Sequence, residues 1–149
     1  MATMSDDMVL VKLDFSNAFN SLRRDRLLKN VADRMPSLYR FCWLSYANTT
    51  SLQFRESTVL SAEGAQQGDP LGPLLFCMTI QPLLQSLSSE LAAAYMDDVT
   101  LAGNKSTVAD DINTISTVGP SYRLQNNLSK CEAISRAGLH YAVIGGFEV

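Results

Sequence analysis

Ala94-Tyr95-Met96-Asp97-Asp98-Val99-Thr100-Leu101 is the stretch whose reading decides the fold. Two adjacent aspartates sit between apolar runs at 91–96 and 99–102, bounded by Ser88-Ser89-Glu90 and by Gly103-Asn104. Apolar runs of that length between polar breaks read as buried strands. Aspartate is a poor strand former and a good turn residue, so the pair reads as the tip of a tight hairpin. Two carboxylates crowded there repel each other unless a cation lies between them. A hard cation such as Mg²⁺ takes oxygen ligands, with substrate phosphates completing its shell. A bare Asp-Asp reads equally as an acidic surface turn, and the rest of the chain has to decide.

Upstream, Met8-Val9-Leu10-Val11-Lys12-Leu13-Asp14-Phe15 is a near-continuous apolar run, read as a central strand with Asp14 at its C-terminal end. Residues 16–20 read as a loop or helical turn. A helix is expected over 24–35, with Leu27, Leu28, Val31 and Met35 at helical spacing and Pro36 stopping it. A second helix, capped by Ser37, runs to Tyr46 with Leu38, Phe41, Cys42 and Leu44 inward. Short strands are expected at 51–55 and 58–62. Asp69 is a good N-cap and Pro70 a good first residue for a helix to about Ser88, with Leu71, Leu74, Leu75, Met78 and Leu83 buried. Pro82 is placed to kink that helix. Another helix spans 106–118 and ends at Gly119-Pro120, and short strands at 130–134 and 141–144 finish the sheet. The fold class is α+β: an antiparallel sheet packed on helices.

At 149 residues the chain reads as one domain, 1–149, long enough to bury a core. Cys42, Cys77 and Cys131 are odd in number and contain no CxxC, against a disulfide framework or zinc site and in favour of a reducing, intracellular setting in cytoplasm or nucleus. No apolar run approaches a membrane span. The net charge of −3 makes bulk attraction to nucleic acid weak; the basic residues cluster at Arg23, Arg24, Arg26, Lys29 and Arg34.

Asp14 at one strand end and Asp97 on a hairpin tip would converge if their strands were neighbours, the arrangement that nucleotidyl transfer through two metal ions about 3.5–4 Å apart requires. The residues 11–20, Val-Lys-Leu-Asp-Phe-Ser-Asn-Ala-Phe-Asn, resemble motif A of reverse transcriptases. Gln66-Gln67-Gly68-Asp69-Pro70-Leu71-Gly72-Pro73 resembles motif B, Ala94-Tyr95-Met96-Asp97-Asp98 resembles the YxDD box of motif C, and Asn127-Leu128-Ser129-Lys130-Cys131-Glu132 resembles motif D of non-LTR retrotransposon enzymes. A lone YxDD is weak; four motifs in order across most of the chain are specific.

The resemblance implies an RNA-directed DNA polymerase palm. Asp14, Asp97 and Asp98 would hold two Mg²⁺ (or Mn²⁺) ions, with the Phe15 backbone carbonyl completing a shell. Phe19 falls at the steric-gate position that excludes a ribose 2′-hydroxyl. Gln67 and Gly68 would line the nucleotide pocket, and Lys130 would donate a proton to pyrophosphate. Out of motif context, Phe19 is a core residue, Gln67 a loop residue and Lys130 a surface lysine. The implied partners are RNA template, DNA primer and deoxynucleoside triphosphates. Asn20 and Arg123 depart from the pattern, the latter where a glycine commonly precedes motif D. The chain opens almost directly on motif A, so it reads as a palm fragment whose fingers and thumb segments are missing, nearly inactive alone, with at most a hint of motif E at Ile144-Gly145-Gly146. The alternatives are a non-catalytic, domesticated palm acting as a binding module and an RNA-dependent RNA polymerase, the latter opposed by Phe19 and by Gln67-Gly68.

Overall fold

A computed structural model describes residues 6–135 and the backbone of 138–141. The expected strand at 141–144, beyond residue 141, and the hint at Ile144-Gly145-Gly146 lie outside the described residues. The chain divides into two compact units, Asn17–Ile80 and the described parts of Met1–Ser16 with Gln81–Val149.

The discontinuous unit is built on an antiparallel five-stranded sheet. Its strands are β1 (Met8–Asp14), β4 (Leu91–Tyr95), β5 (Asp98–Asn104), β6 (Glu132–Ser135) and β7 (Gly138–Tyr141), in the order β4-β5-β1-β6-β7. Side chains alternate across a strand. Val9, Val11 and Leu13 of β1, Val99 and Leu101 of β5 and Ala133 of β6 are therefore buried on one face. Helix α5 (Lys105–Val118) covers that face with Val108, Ile112 and Ile115. Asn104 caps α5, its side-chain oxygen accepting from the Ser106 N–H at 3.0 Å. The other face carries Lys12, Asp14, Asp98, Thr100 and Glu132, all half-buried or exposed. The α+β class and the antiparallel pairing agree with the sequence reading.

One local expectation of this unit fails. β4 is exposed along its whole length instead of buried, because it is the edge strand and three of its five residues are alanines that reach little of the core. α5 does end at Val118, as expected, with Gly119 (φ −50°) as its C-cap leading into a separate 3₁₀ turn, Gly119–Tyr122. Arg123 then takes φ +64°. That left-handed conformation is one that glycine adopts at lower cost than arginine.

The continuous unit holds α1 (Ala18–Ser21), α2 (Arg24–Arg34), α3 (Pro36–Tyr46), the hairpin β2 (Thr50–Phe54) and β3 (Ser57–Ser61), and the start of α4 (Gly72–Gln85). Leu27, Val31, Cys42, Tyr46 and Leu75 form its core, flanked by Leu28, Leu38 and Leu71. Burying each large side chain in such a cluster contributes about 1.5–3 kcal/mol. On α3 the inward stripe is Leu38, Cys42 and Tyr46 at steps of four, one helical face. Phe41 and Leu44, expected inward, fall off that stripe and are exposed at 58% and 66%. On α4 the buried set is Leu75, Phe76, Thr79, Ile80 and Leu83, while Leu74 is exposed. The helix starts at Gly72, not at Pro70 as expected, so Asp69 is not its N-cap; its side chain accepts from the Leu71 N–H at 2.9 Å within the turn that precedes the helix.

Candidate active site

The register of β1 against β5 decides the acidic part of the site. Asp14 and Asp98 are direct cross-strand partners, and Tyr95 pairs with Asp98 across β4 and β5. Met96 and Asp97 make the two-residue turn between those strands, Met96 at φ +57°. The expected hairpin tip is thus shared out: Asp97 lies in the turn and Asp98 opens β5. Asp111, a buried carboxylate of α5, holds the approach to β4. It accepts from the N–H groups of Ser88 (3.0 Å) and Ser89 (2.7 Å) and from the Ser89 hydroxyl (2.5 Å).

Lys12, two residues before Asp14 and on the same face, donates to Asp98 Oδ1 at 3.0 Å. Its hydrogen bond to Asp98, first, and the charges of Asp98, Glu132 and Asp14 hold its amine above the ordinary lysine range. Glu132 is its register partner on β6. The face therefore gathers carboxylates around one ammonium, and a hard divalent cation suits the same oxygen donors. Among the described residues no three acidic, histidine or cysteine side chains already surround a single point. The donor chemistry fits a metal, and the Lys12 ammonium lies among the same carboxylates. Sequence reasoning missed Lys12 and Glu132; the period-2 alternation around Asp14 was the signal that could have found Lys12.

The segment resembling motif D is tied to Asp14 through the backbone. Asn127 N–H donates to Asp14 O at 2.8 Å, Ser16 N–H donates to Gln125 O at 2.8 Å, and Phe15 forms a β-bridge with Asn126. The buried Cys131 thiol donates to Asn127 O at 3.3 Å. Burial, the largest effect, pushes that thiol up. Lys130 is exposed at the end of the 3₁₀ turn Leu128–Lys130. Phe15 is itself buried in the core.

The remaining candidates lie in the continuous unit. Phe19 on α1 is half-buried, its ring centroid 5.7 Å from that of Phe76. A Cβ on Gly72 would come within 3.0 Å of the Phe19 ring tip, so the glycine makes room for the ring. Gln67 and Gly68 are exposed on the turn before α4, with Gly68 at φ +88°. Gln67 donates to Asn20 Oδ1 at 3.2 Å, and Ala65 N–H donates to Phe19 O at 2.9 Å. The Gln67-Gly68 turn is thus stitched to the segment that carries Phe19. The expected basic helix is less free than its sequence suggests. Arg24 is buried, donating to Ser61 O, Ser61 Oγ and Gly64 O, and Arg23 and Lys29 pair with Asp25 and Asp33.

Residues 1–142 match the family described as reverse transcriptase (RNA-dependent DNA polymerase). The chain is 29% identical over 140 residues to the retrotransposable element SLACS 132 kDa protein of Trypanosoma brucei gambiense, covering 87% of this chain and 12% of that protein. It is 30% identical over 115 residues to the Pol polyprotein from the type-2 retrotransposable element R2DM of Drosophila melanogaster, covering 69% of this chain and 10% of the relative. The fold matches apo telomerase from Candida tropicalis, truncated from its C-terminal domain, with TM-score 0.67 and 17% identity, over 93% of this chain and 32% of that one. The architecture is that of a right-hand polymerase. No helix among the described residues is long and apolar enough to cross a membrane.

Proposed function

The chain belongs to the reverse transcriptase (RNA-dependent DNA polymerase) family, of the non-LTR retrotransposon type, and from that premise we propose that it is the palm of an enzyme extending a DNA primer on an RNA template. The register that sets Asp14 opposite Asp98, with Asp97 in the adjoining turn, carries the reading. Asp14, Asp97 and Asp98, with the Phe15 carbonyl, would hold two Mg²⁺ or Mn²⁺ ions. Such ions, when bound, make the primer 3′-hydroxyl more acidic and neutralise the leaving pyrophosphate.

The chain's own residues do the rest. Asp14 and Asp98 stand on neighbouring strands of one sheet, which fixes their spacing without loop motion. Gln67 and Gly68 receive the incoming deoxynucleotide, the glycine letting it approach the backbone. The Phe19 ring, backed by Phe76, closes the space that a 2′-hydroxyl would need. Lys130 delivers a proton to the departing pyrophosphate. Lys12 holds Asp98 in place on the sheet through their ion pair at 3.0 Å. The chain spans about an eighth of the length of its first relative.

The test is Asp97→Asn. In a chimera that supplies a relative's remaining segments, the variant should lose more than nine-tenths of primer extension on an RNA template and keep its circular dichroism spectrum. In the chain itself, Mn²⁺ should broaden the amide resonances of Asp14, Asp97 and Asp98 at lower concentration in the native sequence than in the variant. Retained extension refutes the ligand assignment.

A further inference from the structure

We propose that Tyr46 is a positioning residue for the incoming nucleotide, its hydroxyl setting the shape of the turn that presents Gln67 and Gly68. The inference rests on reading that turn as the nucleotide pocket.

Tyr46 is the last residue of α3 and is 2% exposed, packed with Leu27, Val31, Cys42 and Leu75. A phenylalanine would fill that core as well. A buried hydroxyl is unfavourable unless it is bonded, and this one is bonded twice. It donates to the Asp69 carboxylate in a very short hydrogen bond and accepts from the Gln66 N–H at 3.2 Å. Gln66 and Asp69 are the two ends of the turn, so one phenol grips both. The turn is closed on itself as well: Asp69 N–H donates to Gln66 O at 3.2 Å. The second Asp69 oxygen accepts from the Leu71 N–H, and the Gln66 side-chain amide donates to Ser45 O at 3.3 Å.

Between these anchors Gln67 and Gly68 have no burial of their own to hold them. Gly68 sits in the left-handed region at φ +88°, a conformation that a freed glycine leaves readily. What fixes it is the pair of flanking anchors. Tyr46 keeps its proton for this work: burial, first, and the bond to Asp69 push the phenol up to about 12. Arg24, 5.3 Å from the ring centroid, fixes the ring from the other side and ties it to Ser61 and Gly64. Gly64 could carry no side chain there, since a Cβ would run into the Asn20 backbone. The phenol therefore sits where the α2–α3 core meets the loop that carries Gln67, which in turn bonds Asn20 beside Phe19.

Tyr46→Phe removes one atom and keeps the ring in the core. Asp69→Asn keeps one acceptor oxygen, enough for either the phenol or the Leu71 N–H but not for both, and serves as the intermediate variant. In the complete chain, amide exchange of Gln66, Asp69 and Leu71 should rise at least tenfold in Tyr46→Phe. The Val31 amide on α2 should change less than twofold. Titration with dTTP and Mg²⁺, followed by the Gln67 and Gly68 resonances, should show affinity lowered about fivefold in Tyr46→Phe and by less than that in Asp69→Asn. Unchanged exchange at the turn overturns the proposal, as does unchanged affinity with a loosened turn. If dTTP moves neither Gln67 nor Gly68 in the native sequence, the pocket reading falls, and the proposal with it.

Discussion

Asp14→Asn should make the metal-free protein more stable while removing its response to metal. Asp14 and Asp98 are direct partners across β1 and β5, where Cα atoms of an antiparallel pair lie about 4.5–5.5 Å apart. Like charges placed directly opposite on a sheet are destabilising, by roughly 0.2–1 kcal/mol. Lys12 already neutralises part of that repulsion through Asp98, so the lower half of the range applies, about 0.5 kcal/mol. For a chain of this length that raises the melting temperature by about 1–2 °C. The assay is thermal unfolding followed by circular dichroism, first in chelator at low salt. Raising salt to 1 M, where the Debye length is about 3 Å, should erase the difference. Adding Mg²⁺ at ten times its dissociation constant should stabilise the native sequence by about 1.4 kcal/mol and leave Asp14→Asn nearly unmoved, reversing their order. A variant that melts lower in chelator, or gains as much from Mg²⁺ as the native sequence, would refute the reasoning.

Phe19→Ala should lower discrimination against ribonucleotides at least tenfold in the ratio of kcat/KM values, measured in the same chimera; an unchanged ratio returns Phe19 to a packing role beside Phe76. Asp111→Ala should destabilise by about 2–4 kcal/mol in urea titration, because two backbone N–H groups and a serine hydroxyl lose a charged acceptor. Asp111→Asn, which keeps one acceptor, should lose less than half of that. Cys77 is exposed, whereas burial pushes the Cys42 and Cys131 thiols up. A raised thiol carries less thiolate at a given pH, so a disulfide reagent near neutrality should label Cys77 first and the other two at least tenfold more slowly; equal labelling of all three in the folded protein contradicts the burial.

The parts legible in the sequence were those set by local pattern. The apolar runs of β1 and β5 are strong enough to fix strand identity, and Asp14 does end its strand. Asp69 bonds a backbone N–H two residues on, as its type favours, though in the turn before α4 rather than at the helix cap. What could not be read depends on pairing between distant segments. Nothing local says that Lys12 reaches Asp98, 86 positions on, or that Asp111 closes the loop before β4. On α3, Phe41, Trp43 and Leu44 are as apolar as the residues that turn inward, so composition alone could not choose the Leu38-Cys42-Tyr46 stripe. Tyr46 looked like another aromatic on an apolar helix. Its hydroxyl acquires meaning only when the turn at 66–69 is brought against it.

β4 carries a consequence of another kind. It ends the sheet, and its five residues, Leu-Ala-Ala-Ala-Tyr, are exposed throughout, with no lysine, proline or bulge to discourage a second strand. Such an edge is a template for pairing between molecules. The small alanine side chains let another backbone approach, and Leu91 and Tyr95, 45% and 83% exposed, add apolar area at both ends. The strand that delivers the chain to Asp97 is thus also its adhesive margin. Concentrated solutions of the protein will be governed by strand addition at this margin as much as by the stability of either unit.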